Sequence, residues 1–108
     1  MGVMDVELLV VRDCPNEADA ANLLRTALDD IGLPGKGFDV TVVASQGDAE
    51  RRGFTGSPSF FVDGMDLFRE SGRPVSLSCR LYRSSDRVAG VPNLIDLRRA
   101  LKRAADRH

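Results

Sequence analysis

Val6-Glu7-Leu8-Leu9-Val10-Val11-Arg12-Asp13-Cys14-Pro15-Asn16-Glu17 is the stretch that decides the fold class. Its first six residues form a short apolar run rich in β-branched side chains, the pattern of a strand buried on both faces. Asp13-Cys14-Pro15-Asn16 ends that run, and a helical pattern follows at once. Ala20, Leu24, Ala27, Leu28 and Ile31 recur at three- and four-residue steps, with Asp19, Arg25, Asp29 and Asp30 mostly on the other side. Gly32 and Pro34 stop the helix, and Phe38, Val40, Val42 and Val43 make a second strand. A strand, a helix of about sixteen residues and a strand form a βαβ unit, which implies a parallel pair joined by a right-handed crossover.

Outward from that unit, Gln46 to Arg52 has room for a short helix. Ser59-Phe60-Phe61-Val62 and Met65-Asp66-Leu67-Phe68 flank Asp63-Gly64, a two-residue hairpin signal. Arg69 to Gly90 is weakly patterned, with one apolar patch around Leu77 to Tyr82. The last pattern is helical, from Asn93 as N-cap with Asp96 at N3 to Ala105, and carries an apolar stripe of Leu94, Leu97, Leu101 and Ala104. The order is therefore β-α-β-(α)-β-β-α, an α/β domain spanning 1–108. A four-stranded mixed sheet with helices on both faces is expected, with the first two strands parallel and the hairpin antiparallel at one edge. Its expected core is Val6, Leu8, Val10, Leu24, Leu28, Ile31, Val40, Val42, Phe60, Val62, Leu97 and Leu101.

Composition narrows the function. With 108 residues, 43% hydrophobic and 29% charged, the chain reads as one folded domain rather than a disordered one. Its longest apolar run, Leu8 to Val11, is far too short for a transmembrane helix. No basic segment precedes a long apolar core at the N-terminus, so the expected setting is cytoplasmic and reducing, with no membrane partner. Two cysteines are too few for a disulfide-stapled scaffold. A net charge of −1 argues against nucleic acid as a partner. The charge is uneven, −5 over residues 1–54 and +4 over 55–108, and only Lys36 and Lys102 among fifteen basic residues are lysine. An arginine-rich surface suits phosphate binding, but a GC-rich genome is the weightier explanation.

Two motifs then fall where a thioredoxin-like arrangement would have them. Cys14 directly follows the first strand at the start of the first helix, and Thr55-Gly56-Ser57-Pro58-Ser59-Phe60 puts a proline at the opening of the strand before the hairpin. With Leu77-Ser78-Cys79-Arg80 added, nearly the whole chain resembles a small, mainly bacterial group of thioredoxin-like proteins. That group carries Cys-Pro-Asn, Gly-Ser-Pro and Leu-Ser-Cys-Arg motifs, and some of its members are labelled alkylmercury lyase. The resemblance implies a cis bond before Pro58 and a proline that faces Cys14. One departure matters: the redox signature C-x-x-C would need a second cysteine at position 17, where this chain has Glu17. Dithiol exchange within the motif is excluded.

The residues themselves leave alternatives open. Free N–H groups and the dipole at a helix N-terminus favour negative charge on Cys14 sulfur, with the amides of Asn16 and Glu17 as expected donors. Asp13 and Glu17 oppose that charge, and Arg12 offsets part of the opposition. Cys14, Pro15 and Glu17 also parse as N-cap, N1 and N3 of an ordinary capping box. A cis Pro58 would leave the Ser57 backbone free to pair with an extended thiol substrate, while an ordinary edge-strand proline would not. Cys79, sixty-five residues from Cys14, is either a resolving thiol or a small buried hydrophobe beside Leu77 and Leu81. Arg80 and Arg83 are weaker candidates for a substrate carboxylate, and Tyr82 for a hydrogen bond to a thiolate. The one histidine, His108, is terminal. No phosphate-binding glycine loop, Ser/His/Asp set or zinc spacing occurs, and no cofactor is implied.

The leading expectation is a thiol-based redox protein, a thiol-disulfide oxidoreductase acting on a thiol, a disulfide or glutathione. Cys14 would be the nucleophile, Ser57 and Pro58 the docking backbone and Cys79 the distant resolving thiol. Two alternatives stand beside it. Two convergent thiols would suit a soft metal such as mercury or monovalent copper. A non-catalytic thioredoxin-like module would instead bind a protein partner through the charged C-terminal half.

Overall fold

Val6–Val10 forms strand β1 at the centre of a mixed sheet in a computed structural model, which describes residues 4–84 and 87–107. β1 runs parallel to β2 (Asp39–Val42) and antiparallel to β3 (Ser59–Val62), and β4 (Met65–Asp66) pairs antiparallel with β3. The sheet order is β2-β1-β3-β4. Helix α1 (Glu17–Asp30) makes the crossover from β1 to β2, α2 (Gln46–Arg52) follows β2, and α3 (Leu94–Asp106) closes the chain. The expected α/β architecture, the parallel first pair and the antiparallel hairpin all hold. Asp63 and Gly64 carry φ of 52° and 80°, the left-handed pair that a tight hairpin needs.

Both faces of the sheet are covered, so β1 is apolar in and out. Val6, Leu8 and Val10 join Phe60 and Val62 under α1 and α3, against Ala20, Leu24, Ala27, Leu28, Leu97 and Leu101. Leu9 and Phe61 face the other way, into a smaller cluster with Val43, Ala49 and Phe54 beneath α2. The starts of α2 and α3 follow side-chain capping: Ser45 Oγ accepts from the Asp48 amide at 3.1 Å, and Asn93 Oδ1 from the Asp96 amide at 2.8 Å. No helix among the described residues is long and apolar enough to cross a membrane.

Three expectations need correction. Val40 and Val42 are not core: they are 45% and 48% exposed. They sit opposite Leu8 and Val10 in register, but β2 is an edge strand, and α1 and α3 pack over β1 and β3. Ile31 is only half-buried, at the frayed end of α1. The Arg69 to Gly90 stretch contains a further short hairpin, β5 (Tyr82–Arg83) with β6 (Val88–Ala89). Its apolar repeat is too short to announce a strand. His108 lies outside the described residues. Because Val40 and Val42 already face water, Val40→Thr and Val42→Thr should each change the urea-unfolding free energy by less than about 0.5 kcal/mol. A loss near that of a buried valine would contradict the edge placement.

Candidate functional site

Cys14 lies in the turn between β1 and α1, not at the cap of the helix. The first α-helical bond runs from the Ala20 amide to the Asn16 carbonyl, so Asn16 is the N-cap. The preceding residues close a tighter turn, in which the Glu17 amide donates to the Cys14 carbonyl at 3.2 Å. The alternative reading of Cys14 and Glu17 as a capping box fails for that reason, and the Glu17 amide is spent on Cys14 oxygen rather than on its sulfur. Asn16 does not cap with its side chain either. That side chain packs against Gly90, where any Cβ would collide with it. Cys14 itself is a free thiol, 8% exposed, packed into the larger core cluster.

Ser57 and Pro58 enter β3 through a cis peptide bond, and both are buried. Ser57 Oγ accepts from the Val11 amide at 3.0 Å, which ties this turn to the end of β1, three residues before Cys14. The expectation that the Ser57 backbone stays open does not hold. Its amide donates to the Ser78 carbonyl and its carbonyl accepts from the Arg80 amide, each at 2.9 Å, as a parallel bridge between Ser57 and Cys79. Bridge partners sit about 5 Å apart, so the fold brings Cys79 to the mouth of β3. Cys79 is an exposed free thiol, which overturns its reading as a small buried hydrophobe: Leu81 is also exposed, and Leu77 half-buried.

Arg80 holds this segment down. It is 2% exposed, and its guanidinium donates to Asp66 Oδ2 at 2.7 Å, Ser59 Oγ at 2.9 Å and the Phe68 carbonyl at 2.6 Å. It also lies over the Tyr82 ring, 4.9 Å from its centroid. Arg80 is therefore a buried anchor and not a grip for a substrate carboxylate. Gly56 makes the approach feasible: a Cβ there would stand 2.9 Å from Arg80 Cβ, and its φ of 137° disfavours any side chain. The sequence assigns no role to Ser59, Asp66 and Phe68, and marks Gly56 only as part of the Gly-Ser-Pro motif. The available signal was a lone acid in an apolar hairpin strand and a lone arginine in the apolar patch, each needing a partner if buried.

Tyr82 donates to the Pro58 carbonyl at 2.5 Å rather than to a thiolate. With Phe60 and Phe68 it forms three edge-to-face contacts, with centroids 5.2–6.2 Å apart. Burial, only partly offset by the Arg80 charge, pushes the Tyr82 hydroxyl well above the usual tyrosine range. The folded state thus holds the proton more tightly than the unfolded one. Stability is intact below the unfolded tyrosine value of about 10 and falls as pH rises past it. Because Tyr82 is the only tyrosine, an absorbance titration reads it alone. We expect no tyrosinate signal ahead of alkaline unfolding; a reversible titration near pH 10 in the folded protein would contradict the buried donor.

The remaining candidates lie away from this centre or offer no cluster. Arg83 is exposed and shares a groove of about 310 Å³ with Arg99 and Arg103, whose charge Glu70 and Asp96 partly offset. Among the described residues no group of three or more His, Cys, Asp or Glu side chains is placed to hold a metal ion. Compared with family models, curated proteins and solved structures, the chain matches none.

Proposed function

We propose that the chain is a thioredoxin-like thiol-disulfide oxidoreductase that uses Cys14 and Cys79. The observation that carries the proposal is the bridge from Ser57 to Cys79. It brings Cys79, sixty-five residues from Cys14 in sequence, to the same Ser57 whose side chain is bonded to the end of β1. Cys14 follows Val11, the residue so bonded, by three positions, within about 11 Å of chain reach. The mixed sheet, the cysteine between β1 and α1, and the proline opening β3 support the same reading. With Glu17 in place of a second motif cysteine, the second thiol comes from the segment that pairs with Ser57.

The test is intact mass with alkylation mapping across a graded glutathione redox buffer. As the buffer becomes oxidising, we expect both cysteines to lose reactivity together with a loss of about two mass units, the mark of a disulfide pair. Thiols that alkylate at one rate at every poise would overturn the proposal.

A further inference from the structure

The main-chain edge of Ser57 is where an extended peptide would add as a strand beside the two thiols. We infer that the Ser78–Arg80 segment is a permanent occupant of that edge, so that exchange is confined to small disulfides and begins at Cys79. This rests on the thiol-redox reading and adds to it the substrate class and the order of the two thiols.

Three observations carry the inference. First, both hydrogen-bonding groups of Ser57 are spent on Ser78 and Arg80, so a peptide must displace the protein's own chain to dock. Second, the segment is fastened and not merely laid over the edge. Arg80 is buried with three hydrogen-bond partners, and Gly56 admits its backbone at a distance that a side chain would forbid. Tyr82, two residues on, is locked to Pro58 by its hydroxyl. Third, the two thiols differ in access: Cys79 is exposed on the occupied edge, whereas Cys14 is buried in the core cluster. Rates of thiol-disulfide exchange depend on access to the sulfur. In the first step, the Cys79 thiolate attacks one sulfur of a low-molecular-mass disulfide RSSR. A Cys79–SR bond forms as the S–S bond of RSSR breaks, and RS⁻ departs and takes a proton from solvent.

Two mixed disulfides with the same coloured leaving group, thionitrobenzoate, test this: one with glutathione, one with an unstructured cysteine peptide. We expect the full chain to release thionitrobenzoate from the glutathione probe about tenfold faster than from the peptide probe, a difference of ~1.4 kcal/mol in barrier. Cys79→Ser should lose that fast phase, and Val40→Thr, on the exposed β2 edge away from both thiols, should keep it. A peptide probe that reacts as fast as the small one would overturn the closed edge. A fast phase that survives in Cys79→Ser would overturn the order of thiols. Amide hydrogen exchange on the unmodified protein gives an independent reading. The Ser57 and Arg80 amides should exchange as slowly as those of β1, and rapid exchange at both would show a segment that opens. The probes measure access and the redox buffer measures pairing, so an absent disulfide with intact probe discrimination would remove only the oxidoreductase proposal.

Discussion

Replacing Arg80 by methionine should cost the protein about 3–5 kcal/mol, a large part of the stability of a small domain. The side chains of Arg80 and Asp66 are 1% and 7% exposed, so neither has water to fall back on when its partner is removed. Arg80→Met leaves the Asp66 carboxylate of β4 with the Phe68 amide as its remaining donor among the described residues. Asp66→Leu leaves the Arg80 guanidinium buried without its carboxylate, and its cost should be of the same size. The double variant Arg80→Met/Asp66→Leu should be well short of additive, with a coupling above about 1 kcal/mol. Urea unfolding measures all three. Single losses below about 1 kcal/mol, the range of exposed pairs, would contradict the burial.

Phe60→Ala is the second large effect, again about 3–5 kcal/mol by urea unfolding. Phe60 is fully buried and lies where the helical layer meets the site: it packs with Leu8 and Val62 and meets Phe68 and Tyr82 edge to face. Alanine leaves a cavity whose walls are the sheet and two helices, which cannot close on it. Phe60→Leu should cost under about 1.5 kcal/mol, since most of the volume stays. Phe68→Ala should cost less than Phe60→Ala, because Phe68 is only half-buried. A ranking with Phe68 above Phe60 would put the centre of the core elsewhere.

The frame of the fold was legible because its signals are local. The β-branched run, the helical stripe that follows and Asp63-Gly64 each announce their own element, and parallel pairing follows from connecting two strands through a helix. The exposure of Val40 and Val42 was not legible, because an edge strand and a central one can carry the same residues. Their difference is how far a helix layer extends. The site divides in the same way. Cys14 and Pro58 stand out because each adjoins an element boundary. The pairing of Ser57 with Cys79 and of Arg80 with Asp66 joins segments that nothing local connects, and only the packed sheet reveals it. Arg80 reads from the sequence as a weak candidate for a substrate carboxylate, because nothing local to it announces Asp66 as a buried partner.

The position of β1 has a consequence for how the protein is made. The first strand of the chain is the central one of the sheet, and its antiparallel partner begins the pairing at Val62 opposite Val6. At a synthesis rate of ~5–20 residues per second, β1 waits roughly 3–11 s for that partner to be made. Throughout that interval the edge of β1 that β3 will take is uncovered on the nascent chain, and until β2 (Asp39–Val42) is made the other edge is uncovered as well. Early protection by α1, whose apolar stripe is complete by Leu28, is the cover the chain itself can supply. Polar substitutions in that stripe should therefore lower the yield of soluble protein during synthesis more than they slow refolding of the finished chain.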